Sequence, residues 1–441
     1  MSRTARPTRP PLKDRIPGGR DGRRMLVIGF IDKCGTGLWA TAMALYFTYV
    51  TGLGLGQVGL LIAISGAAGI AGAPLGGRLA DRFPLVRVII GAQLLRAAAL
   101  LALLTTDDYA LLILLSAVGA LPDRATNVLT KLYAARVAGA DRVRYQAINR
   151  TTSNLGWTLG GLGAAAALAV GSTTAFQLLL IGDALSYLVM AVLTLRCAEP
   201  PAPAPSRVVA ASADATSTAK PSNPWRDRGF LTFTAGDGVF FLHDSILQVA
   251  LPLWIVHATE APVGLAPLLM VLNSALVVVF QVPLSRFGAT TEAALRLYTP
   301  LAVLFATGTL AVAASALTGR TLSITALITA AVVLTFAEMI HTIASWEISV
   351  ALAPGDAQGA YLGVHGLAQS TQRFAGPLLM TGLVSMGPLG WPFLGAALVA
   401  TCAAQNRLVR RRLTEPNPLR RPSPIGDRDT GEHPATSRNG R

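Results

Sequence analysis

Carboxylates, imidazoles and guanidinium groups recur inside stretches of this chain that are otherwise apolar. A carboxylate desolvated in a cavity has its pKa raised toward neutrality, so it can take up and release a proton. An ionisable group within hydrocarbon costs several kcal/mol unless it is paired or hydrated, which makes each one a functional candidate. Asp237 and Asp244 are seven residues apart and share a helix face, with His243 beside them and Gln248 one turn further. Glu338 and His341 sit at i, i+3, and Glu347 lies on the opposite face. His365, Gln369, Gln372 and Arg373 share a later segment. In the first half, Asp123 and Asn127 share a face at i, i+4 beside Arg124, and Arg150, Asn154 and Trp157 line another at i, i+4, i+7. Asp32 and Lys33 point about 100° apart, so they are expected to find different partners. Asp32 reads either as a gate salt bridge or as a proton site, and Lys33 as reaching an interface. An Asp123–Arg150 contact is expected, as a structural ion pair or as part of a cavity. Glu338 either titrates or is held permanently by His341 or Arg373, and Arg373 is equally placed to meet an anionic substrate.

Helices that cross a membrane must position these groups. Of 441 residues 52% are apolar and 14% charged, against about 25% charged in soluble domains. The mean hydropathy is +0.51. Twelve segments are long enough to cross ~30 Å of hydrocarbon: 25–50, 56–80, 86–105, 109–136, 144–170, 173–195, 229–256, 262–286, 292–317, 321–351, 358–384 and 388–409. The expected fold is all-α and polytopic. A basic tail (1–24) precedes a six-helix bundle (25–195), and a linker (196–228) leads to a second bundle (229–409) and a second basic tail (410–441). Both tails read as disordered. Glu199–Arg228, rich in Pro, Ala and Ser, reads as flexible. Abundant Gly and Ala suit close helix packing in lipid.

The net charge of +14 is placed by topology, not gathered on a nucleic-acid-binding face. Eight Lys or Arg precede residue 25 and nine follow residue 406. Most others fall in alternate loops, while the opposite loops hold Arg320 with Asp107, Asp108 and Glu260. Positive charge marks the cytoplasmic side, so both termini are expected there, in the cell membrane. Asp32 and Lys33 interrupt the first apolar run, which reads as an uncleaved span and not a signal peptide. Cys34, Cys197 and Cys402 are far apart and suggest neither a disulfide framework nor a metal site. None of Lys13, Lys33, Lys131 and Lys220 follows a Gly, so no phosphate-binding Gly-Lys-Ser/Thr occurs. No enzyme, cofactor or metal chemistry is expected, and any energy must come from a gradient.

Gly77-Arg78-Leu79-Ala80-Asp81-Arg82-Phe83 forms a charged turn between two apolar segments. It resembles the loop between spans 2 and 3 of the major facilitator superfamily. Gly77, Leu79, Ala80, Asp81 and Arg82 match, Pro84 stands where that family has Gly, and Arg87 keeps a basic residue. Leu284-Ser285-Arg286-Phe287-Gly288 resembles the second-half equivalent without its Asp. Leu121-Pro122-Asp123-Arg124 is similar to a span-4 pattern of proton-coupled exporters. Asn154–Gly161 is similar to a span-5 antiporter element, with Trp157 replacing its Pro, although Gly156, Gly160 and Gly161 also serve close helix approach alone. Glu338 through Pro354 resembles span 10 of multidrug exporters, ending in Leu352-Ala353-Pro354.

The resemblance implies two parallel six-helix repeats around a central cavity, working by alternating access. It implies a gate at Gly77, Asp81, Arg82 and Arg87, with Asp81 meeting the start of span 11 near Gln358-Gly359-Ala360. Proton coupling falls to Glu338, then Asp244, Asp32 and Asp123. The cavity is lined by Arg124, Asn127, Arg150, Asn154, Trp157, Asp237, His341, His365, Gln369 and Arg373. The expected protein is a monomeric exporter of a small, largely apolar compound, with protons as coupling ion. An importer or metabolite transporter of the same fold is one alternative, and a non-transporting receptor or scaffold another, though a scaffold has little reason to keep mid-membrane charges.

Overall fold

The computed structural model describes residues 16–170, 172–200, 222–317 and 319–414. These form twelve helical rods: α1 Gly19–Tyr49, α2 Leu55–Arg82, α3 Leu85–Ala102, α4 Tyr109–Ala138, α5 Arg142–Val170, α6 Thr173–Leu195, α7 Arg228–Ala258, α8 Leu265–Ser285, α9 Thr291–Ala314, α10 Arg320–Leu352, α11 Gln358–Ser385 and α12 Gly390–Thr414. Among the described residues, nine segments are long and apolar enough to cross a membrane, one of them (Tyr109–Ala166) running through α4 and α5. The all-α polytopic architecture is thus present, and no strand occurs among the described residues.

Residue types explain where the rods stop and bend. Pro84 is the N-cap of α3, and the residue before a proline is pushed out of the helical region, so α2 ends at Arg82 with Phe83 extended. The Gly77–Arg82 motif is therefore the last turns of α2, not a loop, and the turn itself is only Phe83-Pro84. α7 is interrupted at Phe241 and carries a π-helical turn at Ile246–Ala250. Pro252 lies just beyond it, and its missing N–H and ring displace the ordinary i−4 bond. That wider turn follows directly on His243 and Asp244.

Two hydrophobic cores correspond to the two halves of the chain, and each borrows from the other. Val143 of α5 enters the second core, and Trp346, Val350 and Leu362 enter the first. The halves touch along α2–α11, α5–α8 and α5–α10. The α2–α11 seam is built from small residues: a Cβ on Gly77 would strike the Gly359 carbonyl, and one on Gly363 would strike Ala73 and Pro74. Such close backbone approach is available only to small side chains.

The segments flanking the helices are more ordered than expected. Glu199 accepts hydrogen bonds from the free amides of Leu85 and Val86, capping α3. Ser222 donates its amide to Asp356 (3.0 Å), and Asn223 caps a short turn at Pro224–Arg226. Both ends of the 196–228 segment are thus docked, because they supply caps to helix starts. Helix extends into both expected tails, since α1 starts at Gly19 and α12 continues to Thr414. Residues 1–15, 201–221 and 415–441 lie outside the described residues.

Candidate functional site

Among the described residues three ties join the halves, all toward the end of the bundle where α1 begins and α12 ends. At the rim, Asp81 accepts from the amides of Gly359 (2.8 Å) and Ala360 (2.7 Å). These are unpaired N–H groups at the start of α11, where the helix dipole also favours an anion. Further in, Arg142 grips Glu347 with two bonds (2.9 and 2.6 Å), and Thr291 donates to the same carboxylate (3.0 Å). Deepest, about 12 Å along α5 from Arg142, Arg150 is bonded to Glu338. The other Glu338 oxygen accepts from Asn273 (2.8 Å), which also bonds Thr335 (3.0 Å).

Within the first half, Arg96 is the hub. It is 4% exposed and donates to Asp32 (2.6 Å), Asp123 (2.8 Å) and the Tyr187 hydroxyl (3.0 Å), with its guanidinium over the Tyr187 ring. Tyr187 in turn donates to Asp183 (2.9 Å). Lys33 bonds Asp32 (2.8 Å) and Asn127 (3.2 Å). Arg124 approaches Asp123 only to 3.8 Å.

The second half is organised around Asp237, which is 1% exposed. It accepts from His341 (2.9 Å), His365 (2.8 Å) and Ser345 (2.6 Å). His341 is also bonded to His243 (3.2 Å), and His243 Nδ1 lies 3.1 Å from Asp244. His243, Asp244 and Glu338 bring their ligand atoms within 4.8 Å of one another. Arg150 already answers Glu338, and the charges of Arg150 and Arg373 bear on Asp244, so these three do not make a cation site.

Several expectations are corrected by these contacts. Asp123 does not meet Arg150: Arg96 takes Asp123, and Arg150 reaches across to the other half. Glu338 is held by Arg150 and Asn273, not by His341 or Arg373, because His341 is turned to Asp237. Asp32 and Lys33 share a bond despite their divergent directions, since the long lysine stem folds back, and Lys33 therefore does not reach an interface. Asp237 and Asp244 lie on either side of the interruption of α7 at Phe241. Gln372, buried, donates to Ser245 (2.5 Å), while Gln369 is half-buried. Trp157 is exposed, on the α5 face that carries Arg150 and Asn154. Arg82 and Arg87 are exposed at the α2–α3 turn.

Arg96 and Asn273 were missed as site residues. Each is a polar residue inside an apolar rod, and that signal alone would have flagged both. Lys131 was missed in the same way. Among the described residues neither Lys131 nor Arg373 has a carboxylate within salt-bridge distance. Lys33, Arg150 and Arg373 are the cations bearing on Lys131, and Arg124 bears on Arg373 across the interface.

Comparison with known proteins bears on most of the chain. The family profile described as Major Facilitator Superfamily matches residues 25–377. Among solved structures, a bacterial homologue of the iron transporter ferroportin in an outward-facing state has a TM-score of 0.69 at 13% identity, covering 89% of this chain and 99% of that one. The proton:xylose symporter XylE bound to 6-bromo-6-deoxy-D-glucose has a TM-score of 0.67 at 13% identity, covering 88% and 96%. The human organic anion transporter MFSD10 has a TM-score of 0.59 at 14% identity, covering 88% and 99%. No curated protein matches.

Proposed function

The chain belongs to the Major Facilitator Superfamily and is a multi-pass membrane transporter, and from that premise we propose that it is a proton-coupled exporter of a small, largely apolar compound. The observation that carries the coupling is the Arg150–Glu338 pair, a titratable carboxylate in one half gripping a fixed cation in the other. Protonating Glu338 removes its charge and frees Arg150. Breaking such a pair by removing one partner typically costs about 3–5 kcal/mol, enough to reverse a conformational preference.

Orientation follows from the basic tails, which place the tied end of the bundle at the cytoplasm of the cell membrane. With that end closed, we take this state as the one that faces the outside in the cycle. A proton entering from outside neutralises Glu338, the ties part, and the cytoplasmic side opens. There the proton leaves and cargo enters. The pair then re-forms around the loaded cavity, which delivers the cargo outward. The protein works as a monomer on this scheme, each half moving against the other.

One observation favours a cargo that also bears an acidic group: Lys131 and Arg373 have no carboxylate within salt-bridge distance among the described residues, Asp237 bearing on the first and Asp244 and Asp123 on the second only from further off. Export of matched neutral and acidic dyes from proteoliposomes distinguishes the two cargoes. In the same vesicles, Glu338→Gln is expected to abolish the response to an imposed pH difference while exchange down the cargo gradient persists. A Glu338→Gln protein that responds as wild type does would place coupling elsewhere.

A further inference from the structure

Asp237, His341, His243 and Asp244 form one unbroken row through α7 and α10. Its three contacts are Asp237–His341 (2.9 Å), His341–His243 (3.2 Å) and His243–Asp244 (3.1 Å). Both rings are 1% exposed. Every contact in the row pairs two atoms that are bare acceptors unless one carries a hydrogen, so three hydrogens are needed. Two neutral imidazoles supply only two. Reversing the tautomers moves the hydrogens along the row but does not change the count. His365 and Ser345 bring their own hydrogens to Asp237 and leave it unchanged.

The third contact decides the matter. His243 and Asp244 are neighbours on the chain, so their 3.1 Å contact is too bent for a hydrogen bond, and His243 Nδ1 has no hydrogen-bond partner. Without a proton, a buried lone pair would face a carboxylate at 3.1 Å, a costly arrangement at low dielectric. We propose that the row stores one proton, opens at Asp244, and passes that proton to Glu338. Asp244 suits the mouth, since its side chain is 22% exposed while Asp237 and both rings are at 1%. Glu338 lies within reach, inside the 4.8 Å cluster it forms with His243 and Asp244.

The transfer balances. One N–H or O–H of the row breaks and one O–H forms on Glu338. The row gains a negative charge, and Glu338 loses one. Arg150, released from Glu338, already bears on Asp244 and offsets the charge that appears there. Arg373 and His365 of α11, Lys131 of α4 and Tyr298 of α9 complete the titratable and charged surroundings. Delivery to Glu338 rests on the proton-coupled reading above, whereas the proton count of the row does not.

The test uses the full-length protein in lipid vesicles, labelled with 15N-histidine, at pH 8, where a free imidazole with pKa about 6.5 is neutral. Nitrogen spectra of His243 and His341 should show three ring hydrogens between them. Alternatively they show two, and infrared spectra show a protonated carboxyl. Asp244→Asn, which removes the carboxylate charge facing Nδ1, should remove the extra hydrogen while leaving the Arg150–Glu338 pair in place. Two singly protonated rings with no protonated carboxyl in the wild type would overturn the store. If the store is present but Asp244→Asn exports with unchanged pH response, delivery from Asp244 is overturned. Loss of that response in Asp244→Asn with its retention in Glu338→Gln would keep the store and overturn Glu338 as acceptor.

Discussion

Arg96 is a cation held at membrane depth by two carboxylates, a hydroxyl and a ring face, and its fork is what lets it meet all of them. A lysine offers a point charge and cannot bridge Asp32 and Asp123 in the same way. Arg96→Met is expected to destabilise the first half by about 3–5 kcal/mol, because Asp32 and Asp123 lose their shared cation. Arg96→Lys should recover only part of this, as read by thermal unfolding in detergent. Asp227 gives a contrasting case outside the membrane spans. Burial pushes its carboxyl up, but the Arg412 guanidinium and the Phe230 amide outweigh that and hold it below the usual range. A carboxylate lowered on folding stabilises above its unfolded pKa of about 3.9, and the contribution is lost as pH falls through the folded value. Asp227→Asn keeps the cap but loses the ion pair. It should lower thermal stability at pH 7, with the difference shrinking below about pH 4. The candidate charges could be found in the sequence because each interrupts an apolar run. Their partners could not, since Arg96–Asp32 and Arg150–Glu338 depend on which rods lie side by side.

At the scale of elements, hydropathy places the rods but does not show their internal breaks. The expected span 56–80 corresponds to α2 Leu55–Arg82, whose end is marked by Pro84. The interruption of α7 was not legible, because a π turn is a change in hydrogen-bond register and leaves the apolar pattern intact. The α2–α11 seam was legible in part: the resemblance named Gly77, Asp81 and its meeting point at Gln358-Gly359-Ala360, while Gly363 becomes meaningful only once the two helices touch. Asp81 accepts two charge-assisted bonds at a helix start, each worth about 1.5–3 kcal/mol. Asp81→Asn keeps an acceptor but loses the charge, so it should favour opening of this end while leaving cargo binding intact. Spin labels at Phe83 and Asp356 would report longer and broader distances in the variant. An unchanged distribution, with normal transport, would remove Asp81 from the gate. Replacing residues 201–221 with a Gly/Ser segment of equal length, while keeping Ser222 and Asn223, should leave insertion and transport nearly intact.

For the whole molecule, the three ties lie at successive depths on one side, so opening there must release all of them together. Cooperative release is what makes one protonation event sufficient: once the Arg150–Glu338 pair is gone, the remaining ties must hold the halves unaided. Arg142–Glu347 is then the decisive second tie, since Glu347 is 2% exposed and takes two bonds from Arg142. Glu347→Gln leaves Arg142 without its counter-charge, and loss of one charge-assisted bond of about 1.5–3 kcal/mol should raise the open population at least tenfold. Arg142→Glu sets two carboxylates against each other and should open this end further. Combining Arg142→Glu with Glu347→Arg restores an attractive pair, which Thr291 can also serve by accepting from the new guanidinium. Labelling of a cysteine placed behind the ties, at Asn127, by a bulky thiol reagent added on the tail side gives the readout. Rates should rise in both single variants and return toward wild type in the exchanged pair. Equal rates in all four proteins would mean that the small-residue α2–α11 seam alone keeps this end shut, and that the ion pairs only set its register.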